Sequence, residues 1–508
     1  MFRRLPVDEA LGLRTGARHR LREVYRERDL IILGLGVMIG AGIFSIAGGQ
    51  AASVAGPAVI VSFVIAGAVC LLSALSYAEL SSALPVAGSA YSFTYVIFGE
   101  LWAWVIGWAM VLELLLAAAV VSRAWSFIAV QTLDDFGISI PAFLAPYVGQ
   151  PDGFDLFSLI ILVSLVAIVA VGARIGLRVL WAMVAAKVAV IGLVIVFGVV
   201  NITFSNYTPF VPASEDAPVG PRDQTVLQAI TGHANAFGIG GVIIAAASVA
   251  FAYIGFDIIA TAAEETENPR HDLPNGMLRS LLVTTGLYLG VAFVIVGMLP
   301  YTQLGSPTPL SDAFRAVNLD FMAPIIDLGG LLGLTTVILV VLIGQTRVVF
   351  SMARDNLLPA TLAEVNKAYH TPTRATMVIG VLAIAISQIV DVLTLQELVV
   401  IGALFAFGFV SAEVIALRYT HPDLERGFRV PGAPVVPGLG ILGVLWLMLN
   451  LQVTTWGYFC FWMAGGLIIY LWFGQRHSRL GRMLAGKPVD GGHHRHRAPG
   501  RRVGRWQL

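Results

Sequence analysis

The chain has 508 residues, of which 57% are hydrophobic and 12% charged, with a net charge of +1. Soluble domains carry about 25% charged residues, so this balance argues for a polytopic membrane protein rather than a soluble domain. Near-zero net charge gives no electrostatic case for nucleic acid as a partner. The two cysteines, Cys70 and Cys460, lie far apart in apolar stretches and set up no disulfide framework.

The chain opens with an arginine-rich tail, 1–29. The apolar run that follows, Leu30 to Ala52, is longer than the roughly 7–15 residues of a signal-peptide core, so it reads as a retained first span. A spanning helix needs about 20 mainly apolar residues. On that measure spans fall at 30–52, 57–80, 101–129, 154–172, 179–201, 238–262, 278–300, 323–350, 375–393, 396–417, 436–454 and 457–474. This is an all-α polytopic protein of about 12 transmembrane helices. Residues 84–99, rich in Ser and Tyr, read as a cytoplasmic lead-in to the third span. A loop at 202–237 separates two blocks of five spans, 30–201 and 238–417; a final pair occupies 418–475, and a basic tail closes the chain at 476–508.

Orientation follows from the basic residues. With a cytoplasmic N-terminus, every one of the 32 lysines and arginines falls inside except Arg123, Lys187, Arg222 and Arg315. Both termini are therefore expected in the cytoplasm and the protein in the plasma membrane. His493, His494 and His496 in the tail suit either metal or anionic lipid, or simply a solvated basic end.

Two spans are interrupted by glycine. The first reads Gly34-Leu35-Gly36-Val37-Met38-Ile39-Gly40-Ala41-Gly42-Ile43-Phe44. A helix running to about Ile39, unwinding over Gly40-Ala41-Gly42 and resuming at Ile43 would aim free N–H groups and a positive dipole end at an anion. The carbonyls left at the end of the first half suit an ammonium. Gly36 and Gly40 also form a GxxxG pair that fits a close helix contact. The sixth span contains Phe251-Ala252-Tyr253-Ile254-Gly255-Phe256-Asp257, a glycine among three aromatics and a carboxylate. Carbonyls near Phe251, Ala252 and Ile254 would complete the ammonium site, Phe256 would cover the substrate, and Asp257 would face a polar interior. Broken spans at corresponding places in two halves are the best sequence pointer to a transporter's binding site. The candidate substrate residues are Ile39, Gly40, Ala41, Gly42, Ile43, Phe251, Ala252, Ile254 and Phe256.

Two ionisable residues lie deep in other spans, Glu113 in the third and Lys187 in the fifth. An ammonium at the bilayer centre is unfavourable by at least roughly 3 kcal/mol, so it must pair, lose its proton or snorkel. Lys187 lies ~9 Å from its helix end, too deep to snorkel readily. It is a candidate proton carrier, or a lysine held statically by an ion pair or carbonyls. Glu113 is the expected acidic partner, with Glu79 at the inner end of the second span as the other choice.

These residues resemble a known family. Between 25 and 475 the chain is similar to the amino acid–polyamine–organocation superfamily, specifically its cationic amino acid transporter family. The resemblance rests on Gly40-Ala41-Gly42-Ile43-Phe44, Tyr77-Ala78-Glu79-Leu80, Gly88-Ser89-Ala90-Tyr91, Gly99-Glu100-Leu101-Trp102-Ala103, Gly107-Trp108 and Ser122-Arg123-Ala124-Trp125-Ser126. It continues through Asn206-Tyr207-Thr208-Pro209-Phe210, Ile254-Gly255-Phe256-Asp257, Glu264-Glu265-Thr266-Glu267-Asn268-Pro269, Arg347 to Pro359, and Phe428-Arg429-Val430-Pro431. It implies a 5+5 inverted repeat with broken first and sixth helices, two peripheral helices, and alternating access. It also implies that Lys187 stands where sodium-coupled relatives bind sodium, and that Glu113 matches an acidic residue near the site in bacterial members. Departures are Leu115, often tyrosine in bacterial relatives, and Asn356, often glycine. Similar bacterial members prefer neutral amino acids, so the word cationic does not carry over.

The sequence therefore predicts a proton-coupled amino acid symporter and not an enzyme. Its only cofactor would be the proton as coupling ion, and its partners an amino acid and the bilayer, with no metal and an open oligomeric state. Obligate amino acid or polyamine exchange on the same scaffold and transporter-like nutrient sensing are the alternatives.

Overall fold

The structure, a computed structural model, describes residues 3–7, 10, 23–171, 177–216, 223–232, 235–366 and 371–486. Arg14, Arg18, Arg20, Arg22, Arg174, Arg222, Lys367 and the tail histidines lie outside the described residues. Eight helical stretches are long and apolar enough to cross a bilayer, counting the interrupted stretch Glu27–Ala83 as one, and three shorter apolar helices accompany them.

In chain order, α1 (Glu27–Met38) ends at Ile39, whose extended backbone (φ −74°, ψ 93°) breaks the helix. Helical structure returns in a widened turn at Gly42–Ile46 and continues to Ala55. Next come α2 (Val59–Ala83), the short α3 (Ala90–Ile97), and α4 (Glu100–Asp135), with 36 residues. Helices α5 (Leu156–Val171) and α6 (Leu177–Val200) complete the first block. The loop beyond carries a two-stranded antiparallel ribbon, Glu215–Asp216 against Asn235–Ala236. Helix α7 (Gly238–Val249) tightens into a 3₁₀ turn at Ala250–Tyr253, opens at Ile254 (ψ 139°), and resumes as α8 (Ile258–Thr261). Gly255 has φ +121°, a conformation that only glycine adopts without strain. Then follow α9 (Pro269–Met298), α10 (Pro309–Ala316), α11 (Met322–Arg354), α12 (Thr373–Ser387), α13 (Val392–Thr420), α14 (Val435–Leu449) and α15 (Val453–Ile469).

The middle of the bundle is α4, packed between α11 and α13, with α2 against α9 beside it. Buried apolar side chains from all of these form one continuous core. In a bilayer such packing rests on van der Waals fit and internally satisfied polar groups, since lipid is as apolar as leucine. The last helix is tied on by aromatic contacts. Trp104 and Trp108 stack at 5.5 Å and Trp108 and Trp462 at 4.7 Å, while Trp104 Nε1 donates to the Gly466 carbonyl and Trp108 and Trp462 each donate to the other's carbonyl.

The face that carries α3 and the entry to α1 is sealed by charge. Glu79 accepts from Arg418 (2.6 and 2.9 Å) and from the Val430 N–H (2.7 Å), and pairs with Arg426 at 3.3 Å. Arg347 pairs with Glu265 at 2.6 Å and Arg354 with Glu264 at 3.6 Å. Backbone N–H groups of Val24 and Tyr25 bond to the Glu265 carbonyl, which fastens the segment after α8 to the entry of α1. Two carboxylates of this face, Glu27 and Asp272, lie close enough to His271 to share a metal ion, but Glu27 is already paired with Arg279.

Candidate functional site

The two breaks touch. A Cβ built on Gly42 would fall 2.3 Å from the Cβ of Ala252 and 2.5 Å from its Cα, so only glycine lets the interrupted segments approach this closely. Tyr288 on α9 bridges them from the side. Its hydroxyl is 2.5 Å from the Met38 carbonyl and 3.0 Å from the Ala252 carbonyl, sharing one proton between the two segments. Sequence reading missed Tyr288; the available signal was a tyrosine in the middle of an apolar helix.

Beside the breaks lies a small cavity of about 30 Å³. Val37, Met38, Gly40, Ala41 and Gly42 form one wall, and Phe251, Ile254, Gly255 and Ile258 another. Leu114, Ala117 and Val121 of α4, Val337 and Val341 of α11, and Val399 of α13 complete it. The first N–H groups of a helix have no acceptor within it, so Gly40, Ala41 and Gly42 bring donors to an otherwise apolar chamber. Among the described residues no acidic side chain lines it. A cationic side chain would sit there unpaired, which in a buried site costs on the order of 3 kcal/mol or more.

Lys187 is fully buried, and its ammonium has three acceptors for three N–H bonds. They are the Gly36 carbonyl at 2.8 Å, the Ile39 carbonyl at 2.9 Å and the Thr336 hydroxyl at 3.1 Å. Thr336 donates in turn to the Gly333 carbonyl at 2.6 Å. The lysine of α6 thus clasps the exposed end of α1 and joins it to α11 behind the cavity wall.

Of the arrangements left open by the sequence, carbonyls hold Lys187, and the expected acidic partner is corrected. Glu79 is committed to Arg418 and Arg426. Glu113 is fully buried, packs near Gly402 of α13, and neither of its carboxylate oxygens has a hydrogen-bond partner among the described residues. Bare carbonyls at the end of α1 are simply nearer to the ammonium than either carboxylate. Asp257 caps its own break, accepting from the Gly255 N–H at 3.2 Å, while its carbonyl accepts from Ser89.

A second correction concerns Phe256. Its ring is buried against Tyr77 (5.6 Å) and Phe407 (4.8 Å) instead of lining the cavity. Ile39, Ile43 and Ala252 also stand behind the wall, so Gly40, Ala41, Gly42, Phe251 and Ile254 are the sequence candidates that reach the chamber. Of the carbonyls proposed for an ammonium, that of Ala252 accepts from Tyr288 and that of Phe251 from the Ile254 N–H. Arg123 is fully buried, with its guanidinium on the carbonyls of Ser387, Gln150 and Gly153, a tie between α4 and α12.

Residues 28–476 match the profile of the amino acid permease family. The chain belongs to that family, within the amino acid–polyamine–organocation superfamily. It is 40% identical over 485 residues to a branched-chain amino acid permease of Bacillus subtilis, covering 94% of this chain and 99% of that one. Identity to a methylthioribose transporter of the same organism is 39%, over 95% and 99% of the two chains. A vacuolar cationic amino acid transporter of Arabidopsis thaliana is 35% identical over 83% of this chain and 64% of its own. The permease fold makes this chain a multi-pass membrane transporter and not an enzyme.

Proposed function

We propose that this permease carries L-amino acids with aliphatic side chains across the plasma membrane, together with a proton, by alternating access. The blocks 30–201 and 238–417 would form two inverted repeats, each opening on a broken helix, with both termini cytoplasmic. The observation that carries the reading is the Lys187 ammonium on the Gly36 and Ile39 carbonyls, immediately behind the chamber formed by the two breaks. A monovalent cation would find the same acceptors, so a protonated lysine there holds the first break in one arrangement. Loss of the proton removes one of three bonds and loosens α6 from α1. The N–H groups at Gly40 to Gly42 suit the substrate carboxylate, and the valine-rich wall suits a branched side chain, as in the relatives named branched-chain amino acid permeases.

The test is uptake into liposomes holding the purified protein. Labelled leucine should accumulate when the exterior is acid, with arginine, a polyamine and methylthioribose as competitors. Leucine should compete at least tenfold better than arginine. Counterflow without a pH gradient separates symport from obligate exchange, which moves label only against trapped substrate. In Lys187→Ala, accumulation driven by the pH gradient should vanish. Concentrative uptake with its pH dependence intact in that variant would remove the coupling role.

A further inference from the structure

On the face opposite the sealed one, α10 lies over the resumed half of the first span. Pro309 packs on Gly48, where a Cβ would fall 2.4 Å from it, and Gly305 sits over Ala52. One guanidinium holds this lid. Arg315 donates to Asp135 at the end of α4 (2.5 Å), to Asp312 on its own helix (2.7 Å) and to Asp327 at the start of α11 (3.3 Å). Ser311 donates to the other Asp327 oxygen at 2.6 Å.

Three carboxylates on one cation leave the cluster two charges short of neutrality. Asp327 is 2% and Asp135 9% exposed, so bulk water screens neither fully. The Oδ2 atom of Asp135 is buried without a hydrogen-bond donor among the described residues, and Asp135 and Asp327 both accept from the same Arg315 Nη2, which places their carboxylates side by side. Two carboxylates in that relation cannot both be ionised without strong repulsion, and one shared proton relieves it. Among the described residues the remaining neighbours add no cation. From α6 the side chain that meets the start of α11 is Val190, from the first span it is Phe44, and Asp134 and Asp320 are exposed.

We propose that Asp135 and Asp327 form an outer proton site, and that the shared proton latches α10 over the first span. Acid outside places one proton between the two carboxyl oxygens, and Arg315 then clamps α4, α10 and α11 together. In alkali both carboxylates ionise, repel, and release the lid. The site is distinct from Lys187, with which it shares no residue. The word outer rests on the orientation proposed above.

The test reads lid position and needs no transport. Ala52→Cys is made in a Cys460→Ser background, full length, in liposomes buffered inside at pH 7. A membrane-impermeant maleimide is added outside, and the labelling rate is expressed relative to Phe143→Cys in an exposed loop, which cancels the titration of the thiol itself. The ratio should rise severalfold between pH 5.5 and 8.5, as loss of the shared proton leaves two like charges side by side. Asp327→Asn and, independently, Asp135→Asn should flatten it to less than about twofold, because neither pair can then become doubly charged. A flat ratio in the parent protein, or a pH response that survives both substitutions, would overturn the site. Failure of the Phe143→Cys control to label from outside would overturn the orientation, and the outer site with it.

Discussion

Gly42 and Ala252 meet more closely than any side chain at position 42 would allow, with a virtual Cβ–Cβ separation of 2.3 Å. The obstruction includes the Ala252 backbone, which no rotamer change relieves. Gly42→Leu should therefore push the two breaks apart and abolish substrate binding, read as the loss of ligand-dependent thermal stabilisation in the purified protein. Gly49→Ala is the control, because a Cβ there meets nothing within 4 Å. Retained stabilisation by leucine in Gly42→Leu would refute a binding site at the first break.

Tyr288 joins the same two segments through a single hydroxyl. In Tyr288→Phe the Met38 and Ala252 carbonyls lose that donor while the ring packing against Phe63 and Tyr253 remains. A net loss of about 1 kcal/mol is expected for the hydrogen bond, and more if a carbonyl is left buried and unsatisfied. The expected result is a lower melting temperature and leucine affinity reduced up to about tenfold. Unchanged affinity would show that Tyr288 only supports the fold.

The apolar lining of the chamber makes a prediction about selectivity. Val341 lies in the wall and is 2% exposed. Val341→Asp would bury a carboxylate that has no protein partner, a cost that a substrate ammonium could offset. Leucine uptake should fall and competition by lysine or arginine should rise, relative to the parent protein. Equal inhibition by arginine in both would show that position 341 does not meet the substrate side chain.

Much of this site is legible in the sequence, and the parts that are not share a cause. Glycine clusters announce the two breaks because glycine tolerates backbone that other residues do not, and Lys187 stands out because charge at that depth is costly. The partners of Lys187 do not stand out, since two of the three are backbone carbonyls and carbonyls have no letter in a sequence. Glu113 was the expected partner on chemistry alone, but helix order along the chain does not say which faces of α4 and α6 oppose each other. Phe256 was expected at the cavity because it adjoins the break. In unwound backbone helical periodicity no longer fixes side-chain direction, and the ring turns toward Tyr77 and Phe407. Asn356, noted where relatives often carry glycine, adopts φ +57°, the left-handed region that asparagine tolerates better than most residues. That departure from the family pattern is explained by backbone geometry.

Glu79 decides whether the sealed face is a gate or only a brace. Its carboxylate is fully buried and holds Arg418, the nearly buried Arg426 and the Val430 N–H together. Glu79→Gln keeps the shape and removes the charge. Breaking a buried pair by removing one partner typically costs about 3–5 kcal/mol, and Arg418, at 29% exposure, can recover part of that by turning to water. A clear drop in melting temperature is therefore expected on either view. The distinguishing measurement is leucine binding against leucine uptake. A gate held shut by Glu79 would, once weakened, favour the form open toward the termini, so counterflow would fall severalfold while binding from that side persisted. Binding and counterflow that fall in parallel with stability would assign Glu79 to bracing alone.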